Sequence, residues 1–382
     1  VRAVYMYSAM ADLAYEYQDE ELMAACKRLW NNIVQRQMYI TGGIGASGIL
    51  ERFTVDYDLP NDCNYAESCA SIGLAMFGIR MANITKDASY IDTVERALYN
   101  TVLAGIALDG KSFFYVNPLE VWPDNCMERT SKEHVKPTRQ KWFGVACCPP
   151  NIARILASMG QYIYSVGETA LYVHLFISNE VCIEMETGEV KVSLETKFPF
   201  ENLVRIKVSH VPDGGMTLAV RIPEYAGMYQ MTAKGQLLEY KEEKGYAYLA
   251  LAQDADISIS FEAPAKFVRA NPKVRADCGK TAVVKGPLVY CLEEIDNGKN
   301  LAELYVDTEK EIQEVPSELF GGITELVLQG KRMEESAWDE KVLYGEHPVK
   351  LSDVTLKAIP YAYWNNRGMG EMAVWVKELI SG

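Results

Sequence analysis

The chain has 382 residues, 49% hydrophobic and 24% charged, the make-up of an ordinary soluble globular protein with core material for two or three domains. Its net charge of −14 argues against nucleic acid or phosphate surfaces as its main partners. Nine cysteines, odd in number and irregularly spaced, exclude a secreted disulfide framework and fit a reducing, cytoplasmic setting; no secretory leader or bilayer-length apolar run is seen, so no membrane role is expected.

The opening run VRAVYMYSAMADLAYEY reads as the middle of a helix, with no initiator Met, cap or polar lead-in. It is expected to be preceded by further protein. Helices are predicted over 1–17, 20–38, 67–83, 90–108 and 151–164. In the first, Met6, Met10, Leu13, Ala14 and Tyr17 recur at helical spacing; in the fourth, Ile91, Val94, Leu98, Val102 and Ile106 do so. Both stripes are read as core. The intervening loops, 39–66 and 111–146, are long enough to suggest function.

From about residue 170 the apolar period becomes two. Val190, Val192 and Leu194, then Val204, Ile206 and Val208, then Ile257, Ile259 and Phe261 alternate with polar residues, as short antiparallel strands with one buried face would. A β-sandwich is expected over 166–268, with 367–382 as a candidate to complete it, followed by a second β-rich domain over 269–366.

Three features carry chemistry. Gly43-x-Gly45-x-x-Gly48 has the dinucleotide spacing, but a helix precedes it and no βαβ unit surrounds it, so its glycines are read as allowing close backbone approach. Glu67-x-Cys69 opens a predicted helix. Its two side chains differ by about 200° around a regular axis, so both reach one ion only at an irregular first turn or beyond the helix end. Cys147-Cys148-Pro149-Pro150 opens another: proline is tolerated in a first turn, where the macrodipole favours thiolate. Adjacent cysteines make a poor disulfide. Together the four ligands fit a thiolate-rich tetrahedral zinc site; a buried structural cysteine cluster is the competing reading.

The runs YITGGIGASG, Glu51-x-Phe53, DYDLPNDCNYAESCA, ERALYN, FFYVNPLE and WFGVACCPPNIAR resemble glycoside hydrolase family 127, the β-L-arabinofuranosidase family. The likeness is dense in the helical part and weaker through to NNRGMGEMAVWV. It implies an α+β multidomain protein: an (α/α)6 catalytic barrel, here its C-terminal part over 1–165, followed by antiparallel β-sandwich domains. Twelve helices make such a barrel and five are predicted, so this stretch by itself is expected to be inactive. The resemblance makes Cys147 the nucleophile, Glu51 the general acid/base, and Glu67, Cys69, Cys147 and Cys148 the ligands of zinc. It places Glu95 and Tyr115 among the substrate-binding residues. Ser68 stands where the family more often has Thr.

The implied reaction removes β-linked L-arabinofuranose from plant-derived oligosaccharides with retention. A zinc-stabilised carbohydrate-binding protein without turnover is the rival. A sugar isomerase or epimerase fits less well, because such enzymes rely on histidines and three of the four here (His174, His210, His347) lie in the β-rich part. A small glycoside or oligosaccharide is the expected partner, and a homodimer is left open.

Overall fold

The computed structural model describes residues 1–379 apart from Glu168, Ala337 and Glu340. Helices α1 (Arg2–Glu16) and α2 (Glu20–Asn32) form a hairpin, and the Asp19 carboxylate caps α2 by accepting from the Leu22 N–H at 2.9 Å. A π-helical turn, Ile33–Gln37, carries α2 towards the first long loop. Helix α3 (Ser68–Thr85) is the hub. It is apolar on every side and packs on α1, on α4 (Ser89–Ala97) and on α5 (Cys148–Ala157). Ile72, Leu74, Phe77 and Met81 are fully buried, each worth about 1.5–3 kcal/mol of apolar transfer. Gly78 admits this packing: a Cβ there would lie 2.6 Å from Val94 Cγ2 and 2.8 Å from the Trp30 ring.

The α1 stripe is corrected by the structure. The buried face of α1 consists of Val4, Ser8, Ala11 and Ala14, whereas Met6, Leu13 and Tyr17 are exposed. Small residues let α1 approach α3 closely, so the side with the larger residues points away. The fourth predicted helix is also shorter than expected, breaking into a π-helical turn at Leu98–Val102.

Two sheets form the middle region. One has six antiparallel strands in the order Asn179–Met185, Gly188–Thr196, Leu203–Ser209, Ala255–Phe261, Tyr229–Ala233, Gln236–Leu237. The other has five, in the order Lys241–Glu243, Tyr246–Leu251, Met216–Arg221, Ala170–Val173, Tyr164–Val166. Their inner faces share one core through residues such as Val192, Ile206, Ile257, Leu218 and Val220. The expected antiparallel rule has an exception here, since Ala170–Val173 runs parallel to Met216–Arg221.

The third sheet has ten strands. A circuit through Leu288–Glu293, Leu351–Pro360, Ile323–Met333, Leu304–Val306, Val376–Glu378 and Lys280–Lys285 closes at the Val284↔Val289 pairing. The sandwich expectation is therefore corrected to a closed strand circuit, with one parallel pair at Tyr305↔Lys377. Of the candidate stretch 367–382, the last three residues lie outside the described ones, and the rest does not complete the middle sandwich: Met372–Ala373 and Val376–Glu378 lie in this third sheet. Lys266–Val268, expected in the sandwich, pairs there too.

This sheet also takes a strand from the helical region. Glu120–Val121 pairs with Met372–Ala373, so the second long loop is bound to the C-terminal domain. Arg139 reinforces the join. Its guanidinium donates to the Ala104 and Trp364 carbonyls, each at 2.8 Å, and lies 4.7 Å from the centre of the Phe114 ring, which stacks on Trp364. Burial pushes Arg139 down to about 10. A cation among carbonyls that end a helical segment is favourably placed.

Candidate metal centre and active site

Glu67, Cys69, Cys147 and Cys148 come together, with their ligand atoms all within 4.8 Å of one another. The local backbone explains how. Glu67 sits at the N-cap of α3 with extended geometry (φ −60°, ψ 138°), outside the regular helix, which removes the 200° conflict with Cys69. The preceding Ala66 has φ 36°, and Glu67 is bridged to Val116 of the second long loop. Cys147 is the N-cap of α5 and Cys148 its first residue; Pro149 and Pro150 fill the first turn, so the helix begins three residues before the predicted Asn151.

The Cys69 and Cys148 sulfurs are 3.7 Å apart, and those of Cys147 and Cys148 3.9 Å. The Cys147 thiol donates to Glu67 Oε1 at 3.2 Å. Burial holds the Glu67 carboxyl above its ordinary range and pushes the Cys147 thiol up to about 11. Between Cys69 and Cys148, the shared hydrogen bond lowers the first thiol and raises the second. Among the described residues Glu67 Oε2 is buried and finds no hydrogen-bond partner. A buried carboxylate oxygen without a donor, beside three converging sulfurs, is a donor set that lacks positive charge. Three sulfurs and one carboxylate suit zinc chemistry. Cys69 and Cys148 are buried, while Cys147 is exposed.

Around this cluster the walls are aromatic. The Tyr115 hydroxyl lies 3.0 Å from the Cys147 sulfur, and Phe143 packs on both Phe113 and Tyr115 at 5.0 and 5.7 Å. Glu51 stands at a tight turn closed by the Ser47↔Arg52 bridge, where it and Leu50 both have positive φ. Its carboxylate accepts from the Tyr65 hydroxyl at 3.0 Å, and Glu51, Tyr65 and Glu67 line one hollow of about 240 Å³. Tyr65 was not singled out from sequence. It is one of several tyrosines in the loop, and only folding brings its ring within 6.1 Å of Tyr115 and 5.9 Å of the half-buried His134. Phe143 was likewise missed inside the WFGVACC run.

Glu95 does not join them. It is fully buried, with Arg221 donating to one carboxylate oxygen at 2.5 Å and the Tyr225 hydroxyl to the other at 2.8 Å. Arg221 also donates to Asp92 at 2.6 Å, so the three charges tie α4 to the middle region. Its carboxylate is thus fully enclosed, with both oxygens occupied by partners within this chain. The glycine loop also serves packing: Gly42 has φ +76°, and a Cβ there would lie 2.5 Å from the Ala97 backbone of α4.

Comparison with known proteins places the whole chain in one family. Three family profiles match in succession: "Beta-L-arabinofuranosidase, GH127 catalytic domain" over residues 1–161, "Beta-L-arabinofuranosidase, GH127 middle domain" over 170–264, and "Glycoside hydrolase family 127 C-terminal domain" over 265–377. The chain belongs to glycoside hydrolase family 127. It is 38% identical, over 98% of its length, to a non-reducing end β-L-arabinofuranosidase of Bifidobacterium longum subsp. longum, and spans 58% of that relative. A GH127 β-L-arabinofuranosidase from Geobacillus stearothermophilus T6 superposes with a TM-score of 0.94 at 46% identity, over 99% of this chain and 60% of that one. A second GH127 β-arabinofuranosidase superposes with a TM-score of 0.88 at 33% identity, again over 99% and 60%. Among the described residues no helix is long and apolar enough to cross a membrane.

Proposed function

We propose that the protein to which this chain belongs is a retaining glycoside hydrolase that removes β-linked L-arabinofuranose from plant-derived oligosaccharides. Its helices would form part of an (α/α)6 barrel. The observation that carries this reading is the convergence of Glu67, Cys69, Cys147 and Cys148 within 4.8 Å, beside the hollow that holds Glu51. The two β-L-arabinofuranosidases of Bifidobacterium longum and Geobacillus stearothermophilus share the family, which supports the substrate class.

Glu67, Cys69, Cys147 and Cys148 would hold zinc. When bound, the ion supplies positive charge that keeps thiols deprotonated at neutral pH. The orphaned Glu67 oxygen and the convergence of three sulfurs beside it support that fit. The exposure of Cys147, set against the burial of Cys69 and Cys148, supports giving it the nucleophile's role. Its sulfur attacks the anomeric carbon while Glu51 gives a proton to the departing glycosidic oxygen. The carboxylate of Glu51 then takes a proton from water, whose oxygen displaces the sulfur and restores the thiolate and the acid. Tyr115 orients the sulfur through its hydroxyl, and Tyr65 orients Glu51.

The test is hydrolysis of a chromogenic β-L-arabinofuranoside by the full-length protein, with zinc analysis. Loss of turnover in both Cys147→Ser and Glu51→Gln, with one zinc per chain in the wild type, supports the assignment. Normal turnover by Cys147→Ser overturns the thiolate mechanism. Retention of sugar binding without any wild-type turnover favours the non-catalytic alternative.

A further inference from the structure

Where the loop carrying Glu120–Val121 meets the C-terminal domain, there is a cleft of about 540 Å³, separate from the cysteine centre. Such a volume lies within the roughly 300–1,000 Å³ usual for small-ligand sites. Two tryptophans line it. Trp375 is nearly buried in the wall, while Trp122 is 57% exposed at the edge. Trp122 follows directly from the paired strand and precedes Pro123, which favours the extended backbone it adopts (φ −118°, ψ 107°). A large aromatic side chain is thus held exposed on a braced backbone, where an unbraced surface position would let it collapse.

The charges in the cleft balance. Three carboxylates, Glu120, Asp124 and Glu371, face three amines, Lys280, Lys299 and Lys377. Several of these are already employed as scaffolding. Glu371 accepts from the Asn300 and Leu301 N–H groups at 2.9 and 2.7 Å, and Lys377 donates to the Ala302 carbonyl at 2.7 Å. Among the described residues Asp124 and Lys299 have no ion pair, leaving an acceptor and a donor available. A balanced lining gives no selective attraction to an anion or a cation. An aromatic face beside hydrogen-bonding groups matches a neutral polyhydroxylated ring, which has apolar C–H edges and polar hydroxyls.

We infer that this cleft is an accessory oligosaccharide-binding site, with Trp122 as its stacking platform. The choice of sugar rests on the arabinofuranosidase reading above. Val116 is bridged to Glu67, and Trp122 lies six residues further along the same segment, a reach of at most about 20 Å. A chain of several sugars can therefore be held near the catalytic centre through residues remote from the bond being broken. Binding energy of this kind distinguishes long substrates from short ones.

Trp122→Ala and Trp122→Tyr are made in full-length protein, each on a Cys147→Ser background that prevents turnover, and titrated calorimetrically with L-arabinopentaose and with methyl β-L-arabinofuranoside. Trp122→Ala is expected to weaken pentaose binding at least tenfold and leave the single-sugar glycoside within twofold, while Trp122→Tyr keeps the pentaose within about threefold. With Cys147 intact, Trp122→Ala should hydrolyse a small chromogenic glycoside within twofold of wild type. Unchanged pentaose affinity in Trp122→Ala, or equal weakening for both ligands, overturns the accessory site. Pentaose binding that depends on Trp122 in a protein that hydrolyses no arabinofuranoside supports the cleft and overturns only the catalytic reading.

Discussion

The Tyr115 hydroxyl stands 3.0 Å from the Cys147 sulfur, while the Tyr115 carbonyl accepts from the Ser68 N–H at 3.1 Å. One residue thus touches the exposed thiol with its side chain and the start of α3 with its backbone. Burial and the contact with Cys147 raise the Tyr115 phenol well above its ordinary range, so it stays protonated and able to donate to a thiolate.

Tyr115→Phe removes that donor and leaves the backbone contact. Hydrogen bonds to charged groups are worth about 1.5–3 kcal/mol, so kcat/KM for a β-L-arabinofuranoside should fall about 10- to 160-fold. Zinc content measured alongside should stay at the wild-type level. An unchanged rate would remove Tyr115 from the reaction.

Arg221→Met leaves Asp92 and Glu95 facing each other in a buried interface without their cation. Breaking such a group from one side costs about 3–5 kcal/mol. Urea unfolding should show this loss. If stability falls by less than 1 kcal/mol, the cluster is not the join between α4 and the middle region.

His174 offers a pH-dependent test. Burial, aided by the charges of Arg221 and Lys86, pushes the ring down to about 3, and its nitrogens lie 2.8 Å from the Tyr246 and Ser165 hydroxyls. The unfolded ring titrates near 6.5, so below that pH the unfolded state binds the extra proton. This contribution is complete above 6.5 and is lost as pH falls towards 3, by up to about 1.4 kcal/mol per unit. Asp92 and Asp277, which burial pushes up to about 6, act in the opposite sense: they are protonated first in the folded state, which gains stability as pH falls through 6. Comparing wild type with His174→Gln separates the terms. The wild type's stability advantage should shrink by about 3 kcal/mol between pH 7 and pH 4. Parallel curves would show that the ring does not titrate as its burial requires.

Gly78→Ala places a methyl against Val94 and Trp30 inside the α3 core. Overpacking of this kind costs about 1–3 kcal/mol. Gly160→Ala, where among the described residues a Cβ meets nothing within 4 Å, is the control and should be neutral or slightly stabilising. Equal melting temperatures for the two variants would contradict the close approach of α3 to α4.

The cluster of Glu67, Cys69, Cys147 and Cys148 was legible in sequence because its chemistry is local. Two prolines mark the start of α5, and a Glu-x-Cys pair marks that of α3. The paired orientation of Glu67 and Cys69 was not legible, since it depends on Glu67 being held outside the helix by Val116, 49 positions away. Period-two alternation identified the strands of the middle sandwich, where one face is buried throughout. It said nothing about partners, so Met372–Ala373 was assigned to the wrong sheet. The α1 stripe misled because helical spacing shows that large apolar residues share a side, without showing whether that side is the packed one. The enclosure of Glu95 was not legible either, since its partners, Arg221 and Tyr225, lie on a distant strand and its following turn.

The pairing of Glu120–Val121 with Met372–Ala373, backed by the Tyr361 hydroxyl on the Pro118 carbonyl across 243 positions, bears on how the protein is made. On a ribosome, the helical region emerges long before the strand that holds its loop. Until the later strand is synthesised, the segment joining Val116 to the CCPP turn has no sheet to lie on. Closing a loop of that length is slow and entropically costly. The cysteine cluster is therefore enclosed late, and until Met372–Ala373 is made a nascent chain would expose its thiols to oxidation or to adventitious metals.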